Sequence, residues 1–98
     1  MEIRIQSVHF DASDKLELFV TKKVSKLEKF YEDIPAADVS MKLTKPETAL
    51  NKEVGISLKM KGGDLFAEKR ADSFEEAIDG CVEALEKQLI KRKEKSRS

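Results

Sequence analysis

The sequence predicts an α+β domain of order β-α-β-β-β-α, with one four-stranded mixed sheet and both helices packed on one face of it. Three observations lead there. Short stretches at the start and in the middle of the chain alternate apolar with polar residues, the period of half-buried strands. Two longer stretches repeat apolar residues at helical spacing, one after the first strand and one at the end. Each strand has one apolar and one polar face, so a single sheet needs cover on one side only, and both helices must share it. The first β-α-β unit should be a right-handed parallel crossover and the remainder an antiparallel meander.

Ile3 and Ile5 alternate with Glu2, Arg4 and Gln6, giving a strand over residues 2–7. Val8 and Phe10 break the alternation, so the strand should end or bulge near Ser7. Ser13 suits the N-cap of the first helix, with Asp14 in its first turn. At about 100° per residue, Leu16, Val20, Val24, Leu27 and Tyr31 share a stripe, with Phe19 and Phe30 at its edge. This helix should run to about Tyr31, where Asp33-Ile34-Pro35 stops it. Val39, Met41 and Leu43 mark the second strand, and Lys45-Pro46-Glu47 opens a polar loop reaching about Lys52. Val54, Ile56, Leu58 and Met60 mark the third. Lys61-Gly62-Gly63-Asp64 reads as a hairpin, its glycines supplying the positive φ of a primed turn. The fourth strand, Leu65 to Arg70, is less patterned, with Leu65, Ala67 and Ala71 facing inward. Ser73 and Glu76 have capping-box spacing, and Asp72 competes as N-cap. The second helix then buries Phe74, Ile78, Cys81, Val82, Leu85 and Leu89.

A chain of 98 residues holds one domain with a single core. Residues 1–92 should form that domain and residues 93–98 a basic, flexible tail. Cys81 is the only cysteine, which excludes an intramolecular disulfide and a cysteine-based zinc site. No apolar run approaches the ~20 residues of a membrane span, and the N-terminus lacks the apolar core of a signal peptide. The cytoplasm is the expected compartment.

Charge is the informative feature. Lysine and arginine number 19, aspartate and glutamate 19, so the formal net charge is zero. Yet Lys15, Lys22, Lys26 and Lys29 fall within about one sixth of the first helix's circumference. Glu17 and Glu28 lie across the apolar stripe from them. Lys23 falls inside the apolar arc, so its stem must cross apolar surface and its ammonium must reach outward. The second helix holds Asp72, Glu75, Glu76, Asp79 and Glu83 early and Lys87, Lys91, Arg92, Lys93 and Lys95 late. The helix dipole alone accounts for that polarity. It does not account for Lys87, Lys91 and Lys95 forming one stripe, extended by the small residues Gly80 and Ala84. A neighbour, either the first helix or an external backbone, can approach there. Segregated positive charge on a neutral chain points to a polyanion such as RNA.

Catalytic chemistry is missing. His9 is the only histidine and stands at a strand end with no nucleophile pattern beside it. Cys81 lies on a buried stripe. Gly62-Gly63 lacks the helix and lysine of a phosphate-binding loop. No enzyme, metal, cofactor or small-molecule substrate is expected.

The α-β-β-β-α portion is similar to a double-stranded-RNA-binding domain with an added N-terminal strand. Such domains place bases at the start of the second helix. Here that position is Asp72-Ser73-Phe74-Glu75-Glu76, so RNA would need another surface, with the acidic segment kept away from it. The chain more specifically resembles the ribosome hibernation-promoting factor family, also called ribosome-associated inhibitor A or sigma-54 modulation protein. The resemblance is carried by Val24-Ser25-Lys26-Leu27-Glu28-Lys29-Phe30, Gly62-Gly63-Asp64-Leu65-Phe66-Ala67, Ala77-Ile78-Asp79, and Leu85-Glu86-Lys87-Gln88-Leu89 with Lys91.

The resemblance implies a non-enzymatic factor of the short form. It would bind the small ribosomal subunit in the channel for messenger and transfer RNA and inhibit idle ribosomes, with or without a ribosome-dimerising partner protein. It carries the family's basic positions onto Lys23, Lys26, Lys87 and Lys91. Ala84 stands where many members have lysine, Lys87 where many have arginine, and Glu75 where an aromatic residue is common. The expected RNA-binding set is Lys22, Lys23, Lys26, Lys29, Lys87, Lys91 and Arg92, with Tyr31 and Phe66 as candidates for base stacking. The rival classes are a protein-interaction regulator of the sigma-factor modulator type and a general RNA-binding protein.

Overall fold

The computed structural model describes residues 1–44 and 49–97. The elements are β1 (Glu2–Val8), α1 (Asp14–Ser25) continued by a 3₁₀ turn (Lys26–Lys29), β2 (Ala36–Leu43), β3 (Lys52–Lys59), β4 (Leu65–Ala71) and α2 (Phe74–Arg97). The strands form one sheet in the order β1-β2-β3-β4. β1 pairs parallel to β2, with Ile5 opposite Val39. β2–β3 and β3–β4 are antiparallel, with Val39 opposite Ile56 and Ile56 opposite Ala67. This is the predicted α+β architecture. The proposed loop at Lys45-Pro46-Glu47 lies outside the described residues.

The strand alternation places one row of apolar side chains under the helices. Val39, Met41, Val54, Ile56 and Leu58 are buried there. Val20, Val24 and Leu27 descend from α1 and its 3₁₀ extension, and Ile78, Cys81, Leu85 and Leu89 from α2. The opposite sheet face carries Arg4, Ser40, Lys42, Glu53 and Ser57 and is open to solvent.

Both helix starts follow their caps. Ser13 Oγ accepts from Leu16 N at 3.1 Å, and Ser73 Oγ accepts from Glu76 N at 3.1 Å. Asp72 loses the competition for the cap because its Oδ1 accepts from Leu50 N at 2.9 Å instead. Phe10, ahead of α1, stacks on Phe74 at the start of α2 with centroids 4.4 Å apart. The helices therefore begin at the same end of the sheet and run side by side in one direction.

Four details differ from the sequence reading. α1 does not remain α-helical to Tyr31; it tightens into the 3₁₀ turn at Lys26. Ser25 Oγ donates to Lys22 O at 3.1 Å, a local bond that competes with the regular ladder. β2 begins at Ala36, before its alternation becomes visible, because β1 and β3 both pair with that residue. The β3–β4 turn is not a primed turn. Gly63 N donates to Met60 O at 3.3 Å, and of the two central residues only Gly62 has positive φ, +89°. That is the type II pattern, which needs glycine at its second central position. Finally, α2 continues through Arg97, so residues 93–97 are helical.

Two measurements test this account. Leu85 is fully buried between α2 and the sheet. Leu85→Ala should lose about 2–5 kcal/mol, read as a lower urea midpoint at unchanged slope. Asp64 closes the hairpin by accepting from Met60 N at 3.0 Å and from Lys59 Nζ at 3.3 Å. The Met60 N–H, first, and the Lys59 ammonium hold its carboxyl below the ordinary value. A depressed native pKa stabilises above the unfolded pKa, and the contribution is lost as pH falls through the native value. Wild type should lose stability more steeply than Asp64→Asn as pH drops below about 4. Parallel urea-stability curves for the two proteins would refute this assignment.

Candidate nucleic-acid interface

The lysines of α1 divide into two kinds. Lys22, Lys26 and Lys29 are exposed, and among the described residues none has an ion-pair partner. The 3₁₀ turn brings Lys26 and Lys29 onto one edge, because side chains three apart eclipse in that geometry. Lys23 behaves differently. Its Nζ lies 3.1 Å from Asp79 Oδ1 of α2 and 5.5 Å from the centroid of the Phe19 ring. The ammonium does leave the apolar arc, but it ends on a carboxylate of the neighbouring helix. Lys23 is a strut between helices.

The acidic start of α2 is not remote from the α1 lysines. Glu75 lines a groove with Ser13, Lys15 and Lys22. Further along, Lys29 and Phe30 share a groove with Ile90, Lys93 and Glu94. One flank of α2 thus presents Glu75 and Asp79 toward α1.

The other flank of α2 faces β4. A Cβ placed on Gly80 would lie 3.1 Å from Lys69 Cγ, so the neighbour of the small-residue stripe is the Lys69 stem, not α1. Lys69 lines a cavity of about 320 Å³ with Gly80, Glu83, Ala84 and Lys87. Lys87 Nζ is 3.7 Å from Glu83 Oε1, both side chains well exposed. One turn on, Lys91, Arg92 and Lys95 line a cavity of about 260 Å³ with Leu65 and Gln88. Arg92 Nη1 donates to Gly63 O at 2.6 Å and lies 3.7 Å from Met60 Sδ, so it ties the hairpin to α2.

The structure therefore gathers Lys22, Lys26 and Lys29 on one side of α2, and Lys87 and Lys91 on the other. Of the expected set, Lys23 and Arg92 are engaged within the fold. Lys69, absent from the expected set, lines the groove beside Lys87. The signal was its parity with Leu65, Ala67 and Ala71, which puts it on the helix-covered face. Of the stacking candidates, Tyr31 is half-buried against the core, while Phe66 is 56% exposed on the open sheet face.

The one cysteine near these lysines is buried. The Cys81 thiol is pushed up to about 11 by burial, partly opposed by nearby Lys69, and its Sγ lies 3.4 Å from Val54 O. His9 is exposed with φ +67°, outside any constellation. Among the described residues no group of three or more His, Cys, Asp or Glu side chains is placed to hold a metal. No helix among them is long and apolar enough to cross a membrane.

Comparison with known proteins bears on this arrangement. The ribosome hibernation promoting factor of Pseudomonas putida is 30% identical over 98 residues, covering 100% of this chain and 92% of that protein. The Escherichia coli K12 protein of the same name is 30% identical over 95 residues, covering 97% and 96% respectively. A ribosomal subunit interface protein from Coxiella burnetii superposes with a TM-score of 0.84 at 25% identity, covering 95% of this chain and 98% of that one. The N-terminal domain of Thermus thermophilus Protein Y shares the fold, with a TM-score of 0.79 at 23% identity over 93% of this chain and 98% of that chain. The profile described as sigma 54 modulation protein / S30EA ribosomal protein matches residues 3–97, and the chain belongs to that family.

Proposed function

We propose that this protein binds the small ribosomal subunit and silences idle ribosomes by occupying the channel used by messenger and transfer RNA. The observation that carries this reading is that Lys22, Lys26, Lys29 and Lys91 are exposed and, among the described residues, make no intramolecular ion pair, in a chain with zero net charge. Unneutralised cations on a neutral protein are suited to a polyanion, and ribosomal RNA offers a fixed array of phosphates. The names of the curated relatives, ribosome hibernation promoting factors, support the same partner.

The mechanism is electrostatic docking followed by steric exclusion. Lys22, Lys26, Lys29, Lys87 and Lys91 meet rRNA phosphates. Lys23 and Arg92 hold the helices and the hairpin in register, so that those cations arrive together. No bond is made or broken. The work takes place in the cytoplasm, where ribosomes are, and any partner that pairs ribosomes acts on the loaded particle.

A second reading rests on the open sheet face. There Phe66 is exposed over Gly55, and several of the surrounding charges pair, Arg70 with Glu53 at 3.1 Å and Arg4 with Asp38. A charge-neutral face with an aromatic centre suits a protein partner, as a sigma-factor modulator would need.

Co-sedimentation with ribosomes through sucrose gradients separates the two. Wild type should travel with the small subunit at low salt and leave it as salt rises. About five phosphate contacts give a slope of roughly −3.5 to −4.5 in log affinity against log salt. The combined variant Lys22→Gln, Lys26→Gln, Lys87→Gln, Lys91→Gln should keep its thermal midpoint and remain at the top. Wild type staying at the top at low salt would sink the ribosome reading and leave the open sheet face as the site to pursue.

A further inference from the structure

Lys69 is a charged residue where its strand calls for an apolar one. It pairs in register with fully buried Val54, so it belongs to the helix-covered face of the sheet. Its neighbours of the same parity, Ala67 and Ala71, are both buried. Lys69 escapes burial because β4 is an edge strand and because α2 offers no side chain at Gly80. The stem crosses there, its Cγ 3.1 Å and its Cδ 3.6 Å from where a Cβ would sit. Glycine inside a long helix weakens that helix. Here it opens a passage for one lysine.

The passage brings the Lys69 side chain to the cavity that Lys87 lines, beside Gly80 and Ala84, where Glu83 is the one acidic residue among the described lining. Glu83 is already the partner of Lys87. Bringing a second ammonium into that space is unfavourable unless an anion lies between the two. Lys87, Lys91 and Lys95 then repeat along α2 at intervals of about 6 Å, four residues of helical rise. That regular row suits the repeated charge of a nucleic-acid backbone better than the irregular carboxylates of a folded protein. With the Lys69 stem over Gly80, the small Ala84 beside it leaves the groove next to Lys87 open.

We propose that Lys69 is an RNA-binding residue, and that Lys69 and Lys87 together clasp one backbone phosphate of the ribosomal RNA in the groove between β4 and α2. This rests on the ribosome-binding reading above and adds to it a residue from the sheet. The competing role for Lys69 is protection of the β4 edge, since an inward-pointing charge discourages strand pairing. That role needs the stem and not a second charge beside Lys87. Gln88 already contributes edge cover by donating to Phe66 O at 3.2 Å.

The test is binding of the full chain to purified small ribosomal subunits across a salt series. Lys69→Met keeps a stem of similar length over Gly80 and removes the charge, while Lys69→Arg keeps the charge. Lys69→Met should weaken binding severalfold at low salt and flatten the log–log salt slope by about 0.7–0.9, the loss of one phosphate contact. Lys69→Arg should bind like wild type. If Lys69→Met retains the wild-type affinity and slope, Lys69 serves the strand edge only and the clasp is wrong. If wild type itself does not bind, the ribosome reading fails and takes the clasp with it. Amine-acylation footprinting of the wild-type complex reads the same site without a mutation. Lys69 should be protected while the hairpin-tip Lys61 stays reactive. Protection of Lys69 that survives nuclease digestion would place a protein carboxylate in the groove and overturn the RNA assignment.

Discussion

The structure depends on one constraint: a sheet with a single apolar face must be covered by two helices lying side by side. α2 takes β3 and β4 through Ile78, Cys81, Leu85 and Leu89, and α1 takes the rest through Val20, Val24 and Leu27. With its buried stripe fixed on the sheet, α2 has only two flanks left. One faces α1 and the other faces the β4 edge. Every charged residue on α2 must then serve one of three surroundings: a neighbouring helix, a strand edge or open solvent. The electrostatic character of the molecule follows from that partition more than from its composition.

The partition explains how a chain of zero net charge can present basic surfaces. Part of the negative charge is engaged by cations within the fold. Asp79 holds Lys23, Glu75 borders the groove of Lys15 and Lys22, and Glu53, Asp38 and Asp64 pair with Arg70, Arg4 and Lys59. These pairs are solvent-accessible, and water screens them, so they contribute little to stability. Their larger effect is on what remains unpaired. Lys22, Lys26, Lys29 and Lys91 are left without intramolecular partners among the described residues. Asp79 joins the two helices and the other pairs brace the sheet and its hairpin, so the cations open to a polyanion are those the fold does not use.

Much of this was legible in the sequence, and the failures have physical causes. The core stripes, both serine caps and the parallel first pairing follow from period, cap chemistry and connection rules, and all appear in the structure. The 3₁₀ turn at Lys26 was not legible, because it turns on the Ser25 hydroxyl choosing a nearby carbonyl. The role of Lys23 was half legible. Helical angles placed it on the apolar arc, but only tertiary packing could supply Asp79 as its end point. Arg92 looked like part of a basic tail, yet it reaches a carbonyl across the hairpin, a contact between residues 63 and 92 that no local pattern encodes. Lys69 was hidden for the opposite reason. Its strand is short and weakly alternating, so a lysine there read as ordinary surface until the register with Val54 fixed its face.

Gly55 and Gly80 show how the two sides of the sheet were settled differently. On the open face, Gly55 lies under the Phe66 ring, whose nearest atom would be 3.3 Å from a Cβ there. The aromatic ring covers a glycine in mid-strand, a device that restores the contacts a missing side chain would have made. Two ion pairs, Arg70 with Glu53 and Arg4 with Asp38, lie on the same face. On the covered face, Gly80 admits the stem of a lysine instead, and among the described residues that side chain has no ion-pair partner, while Glu83 beside it engages Lys87. A vacancy of one Cβ is satisfied by carbon in both places, but only the second leaves an excess of charge at a groove. If the protein meets a polyanion, that asymmetry directs it to the helical side of the sheet and away from the open face. The docked molecule would then keep Phe66 turned outward, free for contacts of another kind.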